Sequence, residues 1–176
     1  MSNYESNAQK GFKMRISTSK TGFTLIEVLI AVILVGLAIA SLVGANGAFT
    51  QANGAGTELS TAEFLLEQIK ELSAMVSVVD PESGVTTFGP ETGETIATYD
   101  DLDDFDGASI SPPIDAGRNT LSNFATYTQQ VTVENVNPSD FEQVEADHTT
   151  NFVRITVTVL QNSEEICSSS WLRTRY

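Results

Sequence analysis

Hydrophobic positions along the chain keep changing their period, and each change predicts an element. Residues 24–44, TLIEVLIAVILVGLAIASLVG, hold a single charge, Glu27, and no polar face. A helix rises about 1.5 Å per residue, so this run is long enough to cross a bilayer core of about 30 Å. Residues 45–56, ANGAFTQANGAG, are rich in Gly, Ala and Asn. An interior glycine costs a helix about 1 kcal/mol relative to alanine. Gly44, Gly47, Gly54 and Gly56 therefore predict a weak or interrupted helix, either a flexible linker or a helix able to unwind locally.

Helical period returns at Thr57. Ala62, Leu65, Ile69, Leu72, Val76 and Val79 recur at spacings of three and four and draw one apolar stripe. This predicts an amphipathic helix over 57–80, ended at Asp80-Pro81 because the residue before proline avoids the α region. Residues 81–123 hold four of the five prolines, five glycines and a dense acidic patch. They read as an acidic loop with short strands around 85–88 and 109–114.

The last third changes to period two. Tyr127, Gln129, Val131 and Val133 share one face, and Val153, Ile155, Val157 and Val159 alternate with Arg154, Thr156 and Thr158. Such alternation in β-branched residues predicts half-buried strands. Residues 161–165, QNSEE, read as a hairpin turn leading into a final strand, ICSSSWLRTRY. The expected fold class is α+β: one long N-terminal helix, transmembrane and then amphipathic, packed on a small antiparallel β-sheet over 124–176.

Charge divides the chain. The whole carries nine basic and 23 acidic residues, net −14. Residues 1–22 hold Lys10, Lys13, Arg15 and Lys20 against Glu5, which leaves five basic against 22 acidic residues for the rest. Phosphate binding needs clustered Lys and Arg, so nucleic acid is not an expected partner of the acidic body. The basic residues precede the apolar run and the next is Lys70. By the positive-inside rule the N-terminus stays cytoplasmic and the acidic body is exported.

Glu27 is the anomaly of the apolar run, because ionisable residues in such segments are costly and usually functional. A cleaved secretory signal would need a shorter apolar core than this one. A plain signal anchor fits the length but leaves Glu27 unexplained. A third fate is a polar, basic leader ending in glycine, cut before the apolar run. The residues Lys20-Thr21-Gly22 followed by Phe23-Thr24-Leu25-Ile26-Glu27-Val28-Leu29-Ile30-Ala31 resemble the cleavage and methylation motif of type IV prepilins and type II secretion pseudopilins.

The resemblance covers about 25 residues. It implies a leader of residues 1–22 with its charge at Lys13, Arg15 and Lys20, and cleavage between Gly22 and Phe23 by a prepilin peptidase. It also implies N-methylation of Phe23, and assembly with other pilin or pseudopilin subunits through Glu27 and the Phe23 amine of a neighbour. On this expectation residues 23–56 are a transmembrane and assembly helix and residues 57–176 a periplasmic, pilin-like head. The inner membrane is the first location, with the pilus or pseudopilus the second. Gly36, Gly44 and Gly47 lie where helices of the family unwind within filaments, although a proline common in that stretch is absent.

A second stretch, Ala62-Glu63-Phe64-Leu65-Leu66-Glu67-Gln68-Ile69-Lys70-Glu71-Leu72, is similar to the helix of minor V-type pilins and I-type pseudopilins. The β-rich ending Val153-Arg154-Ile155-Thr156-Val157-Thr158-Val159 and the basic end Leu172-Arg173-Thr174-Arg175 are similar as well. A lone Cys167 leaves no intramolecular disulfide.

Other constellations carry less chemistry. Asp101, Asp103, Asp104 and Asp106 invite a calcium reading, but Phe105 breaks the EF-hand spacing and a solvated acidic loop is the plainer expectation. His148 stands in a polar turn beside Asp147 and Thr149 without identifiable catalytic or zinc partners. Ser168, Ser169 and Ser170 lack a nucleophile-elbow context. Trp171 and Cys167 read as core or edge packing. No catalytic residue and no cofactor is expected. The reading is a non-enzymatic minor pilin or pseudopilin; the alternative is a membrane-anchored exported enzyme or binding protein whose likeness stops at the anchor.

Overall fold

The computed structural model describes residues 22–81 and 87–175. The leader, with Lys13, Arg15 and Lys20, lies outside the described residues. The elements are a helix α1 (Leu25–Met75) and strands β1 (Ser109–Ile110), β2 (Tyr127–Asn137), β3 (Asp140–Val144), β4 (Phe152–Gln161) and β5 (Glu164–Thr174). The layout is α+β, one long helix followed by a five-stranded antiparallel sheet. Among the described residues, contacts divide the chain into two units, one up to residue 48 and one from residue 49 on.

α1 is unbroken across the glycine-bearing segment, contrary to the interruption expected there. A Cβ placed on Gly44, Gly47, Gly54 or Gly56 meets nothing within 4 Å, so these glycines leave bare surface rather than a kink. Hydroxyls along the helix are satisfied locally. Ser41 donates to the Leu37 carbonyl at 2.9 Å, and Thr57 and Thr61 do the same one turn back at 3.0 and 2.9 Å.

In the second unit the expected stripe is the buried face. Ala62, Leu65, Leu66, Ile69 and Leu72 are each at most 5 % exposed. They belong to one core with Val131 and Val133 of β2 and Val153, Ile155, Val157 and Val159 of β4. In the register Val131 faces Val157 and Val133 faces Ile155, which puts both valine rows on the side of the core. β4 alternates buried and half-buried positions along most of its length. The expected turn is a tight hairpin in which Asn162 and Ser163 both have positive φ, 50° and 72°, as a type I′ turn requires.

The helix ends at Met75, five residues short of the end expected just before Pro81. Arg173 of β5 supplies the reason. Its guanidinium donates to the carbonyls of Ser73 and, at 3.0 Å, of Val76. A cation there satisfies last-turn carbonyls and complements the helix dipole. Ser77 then bridges to Asp101 in parallel. β1 is also shorter than the expected 109–114, because Pro112 and Pro113 offer no N–H to a ladder. The strand expected around 85–88 falls mostly outside the described residues, and Thr87 and Phe88 are not in a strand. β3 pairs with the end of β2 and had no counterpart in the pattern reading.

One polar side chain sits on the inward face of β2. Gln129 is fully buried. Its amide donates to the Leu65 carbonyl at 2.8 Å and the Ile114 carbonyl at 3.0 Å, and its oxygen accepts from the Ile114 N–H at 2.9 Å. It ties α1, the sheet and the loop before β2 together. Gln129→Ala should cost about 2–4 kcal/mol in urea unfolding, since three buried backbone groups lose a partner. Gln130→Ala, on the exposed face one residue on, should stay within about 0.5 kcal/mol.

Candidate functional site

The first candidate site is the start of α1, where Gly22, Phe23 and Glu27 stand. Thr24 precedes the first helical residue, and Glu27 lies three residues further on. The Glu27 carboxylate accepts from the Thr24 backbone N–H at 2.8 Å and from the Thr24 hydroxyl at 2.8 Å. In return the Glu27 N–H donates to the Thr24 hydroxyl at 3.3 Å. This is a capping box, which satisfies helix N–H groups that have no intrahelical partner. The acid that looked unpaired in the sequence is therefore partnered within its own helix end. Thr24-x-x-Glu27 carries the sequence signature of such a box, set inside the start of the apolar run.

Beyond the cap, every large apolar side chain of the first turns is open. Phe23 and Leu25 are 87 % exposed, and Val28, Leu29, Val32, Ile33, Leu34, Val35, Leu37, Ile39, Leu42 and Val43 are all at least half exposed. A helix apolar all round belongs in hydrocarbon or among other helices. α1 is long and apolar enough to cross a membrane.

Residues 17–43 match the family described as the prokaryotic N-terminal methylation motif. The chain carries that prepilin-type cleavage and methylation motif. The motif and the long apolar helix lie together at the start of the described chain. Comparison with curated proteins and with solved structures found no match.

The second candidate site is the acidic loop, which is not solvated as expected. Asp101, Asp103 and Asp104 are 3 %, 5 % and 1 % exposed. They are pulled inward by Leu102 and Phe105, 1 % and 3 % exposed, which enter the core beside Ile69 and Leu72. Asp101 Oδ1 accepts from the N–H groups of Asp103 and Asp104 at 3.1 and 3.3 Å. Asp104 Oδ2 accepts from those of Asp100 and Asp101 at 2.9 and 3.3 Å. Glu91 and Glu94 converge on Asp104 from ten and more residues away. Asp106 stands apart, accepting from the Val133 N–H at 2.8 Å.

Burial pushes Asp101 up to about 8, helped by the neighbouring Asp103 carboxyl. Asp104 rises to about 6, first through burial and then through the charges of Asp101 and Glu94. Glu91 rises to about 7 because its carboxyl meets that of Glu94, with burial adding to it. Burial raises Asp103 as well.

The other residues singled out in the sequence make local contacts. His148 has positive φ, lies edge-on to Phe88 at 5.4 Å and places Nε2 3.6 Å from Asp103 Oδ2. Trp171 and Cys167 are partly buried against the core, as packing residues should be. Burial, with Glu63 and Glu165 nearby, pushes the Cys167 thiol up and away from the reactive thiolate.

The cap makes a local prediction. Thr24→Val removes the hydroxyl that makes two of the three cap contacts and should weaken the helix start by about 1 kcal/mol. In detergent micelles its amide exchange at residues 24–27 should speed up several-fold, while residues 35–40 exchange as in the parent. Unchanged exchange at 24–27 would show that the cap does not hold the helix end.

Proposed function

We propose that the chain is a structural subunit, a minor pilin or minor pseudopilin, of a type IV pilus or a type II secretion pseudopilus. Prepilin peptidase cuts between Gly22 and Phe23 and methylates the new Phe23 amine. Residues 23–50 first hold the chain in the inner membrane, with the head on the periplasmic side, and then pack against other subunits. The basic Lys13, Arg15 and Lys20 keep the leader cytoplasmic. The observation that carries this reading is the methylation motif at residues 17–43 set on a helix whose apolar side chains stay open on every face.

The capping box gives the assembly step a physical form. Before cleavage the Glu27 carboxylate is held by Thr24, which lowers the cost of carrying an acid into the hydrocarbon edge. Cleavage places a positive amine on Phe23, next to that cap. Glu27 then has a cationic competitor for its oxygens, one that brings a full positive charge where the cap offers only the dipoles of an N–H and a hydroxyl. The amine of a neighbouring subunit satisfies the same carboxylate when helices pack in register. Entry into the filament thus exchanges a cap with uncharged donors for an ion pair. The stretch 62–72 and the basic end of β5 favour a minor subunit. The acidic head presents itself to other minor subunits or to cargo rather than to nucleic acid.

Glu27→Leu separates these steps. Membrane insertion and the mass loss on leader removal should persist, and recovery in assembled filaments should fall about ten-fold or more, the factor for losing 1.4 kcal/mol of pairing. Normal incorporation of the Leu variant would refute the assembly role and favour an anchored protein that is not a filament subunit.

A further inference from the structure

We propose that Asp104 is the shared ligand of a calcium site, formed with Glu91 and Glu94 on one side and Asp101 and Asp103 on the other. Nothing in the pilin reading requires it, and the site is independent of how the N-terminus is processed. Two triads, Glu91–Glu94–Asp104 and Asp101–Asp103–Asp104, each bring one oxygen per residue within 4.8 Å of the others. The side chain common to both is 1 % exposed, and its Oδ1 has no hydrogen-bond partner. Asp104 Oδ2 is already used by two backbone N–H groups, which leaves the buried Oδ1 as the oxygen free to take a cation.

An ionised carboxylate only accepts hydrogen bonds. With no donor among the described residues, this buried oxygen is left to a proton, a water or a cation. Among the described ion pairs the cluster has a single basic contact, His148 Nε2 at 3.6 Å from Asp103. One imidazole does not balance five acids. An all-oxygen donor set selects hard divalent cations. Calcium accepts ligands at about 2.3–2.6 Å in flexible geometry, so oxygens up to about 5 Å apart share one ion. Magnesium demands about 2.0–2.1 Å and near-ideal octahedral angles, which this spread suits less well.

The ion has a structural consequence. Glu91 and Glu94 belong to a turn in which the Glu91 N–H donates to Glu94 Oε2 at 3.1 Å. Asp101 to Phe105 form the second turn, anchored in the core. A cation at Asp104 stitches one turn to the other across the long connection between α1 and β1. Arg118 already holds the strand of chain between them, donating to the Ala97 carbonyl at 2.9 Å and to that of Tyr99.

The test uses the full chain in detergent micelles, stripped with EDTA and dialysed. Thermal unfolding is followed by circular dichroism in EDTA, in calcium and in magnesium, each at about 1 mM, the range of weak extracellular sites. Calcium should raise Tm by about 5 °C or more, through binding to the folded state alone. The double variant Glu91→Gln/Glu94→Gln, changed at two partly exposed positions, should fold and lose most of that rise. Asp104→Asn should melt no lower than the parent in EDTA, because repulsion is relieved, and should not respond to calcium. Equal Tm in calcium and EDTA for the parent would overturn the proposal, as would a full calcium response in the double variant. An equal rise in magnesium would overturn the choice of calcium.

Discussion

A helix whose every face is apolar cannot end its folding with its own chain. Between Leu25 and Val43 the large apolar side chains are half exposed or more, and the described core includes Ala62 to Leu72 instead. Burying one such side chain is worth about 1.5–3 kcal/mol. A row of more than ten is a drive toward lipid or toward other helices that no surface decoration offsets. The placement of charge answers to that constraint. The single acid of the segment is positioned three residues after a threonine, where the helix start itself supplies the donors.

The head follows a different logic. Its sheet buries one face against a single helical stripe, and the joints between the layers are polar contacts made once each. Gln129 fastens β2 to the Leu65 carbonyl, and Arg173 closes the end of α1 from β5. Asn135 accepts from the His148 N–H at 2.7 Å and so holds the turn before β4. Exposed pairs such as Lys70–Glu67, at 2.8 Å, add little by comparison. The acidic surplus is partly on the surface and partly folded inward, where Asp101, Asp103 and Asp104 give the loop between α1 and β1 an electrostatic load of its own.

What could be read from the sequence follows from where the cause of each feature lies. Alternation wrote β2 and β4 into the chain, because each strand buries one face against the core; β5, none of whose residues is fully buried, was legible from the hairpin turn before it. The stripe from Ala62 to Leu72 was equally visible. β3 was not, since all five of its residues are exposed and no alternation marks it. It rests on the Asn137 turn, where the Ser139 N–H donates to Asn137 Oδ1 at 2.8 Å, and on Arg154 donating to the Phe141 carbonyl at 2.9 Å. The end of α1 was misplaced because Arg173 acts on it from about a hundred residues away. The glycines misled in the other direction, since a local cost of about 1 kcal/mol each did not break a helix this long. At the candidate sites the motif around Gly22, Phe23 and Glu27 was legible. The gathering of Glu91 and Glu94 onto Asp104 was not, because only the folded loop brings them together.

The central claim is that the apolar helix begins its working life at Phe23. The intact mass of the mature chain, taken from membranes of cells that hold a prepilin peptidase, tests it most directly. The account predicts a chain lacking residues 1–22 and carrying one extra methyl group on the Phe23 amine. A mature chain that keeps those residues would contradict it.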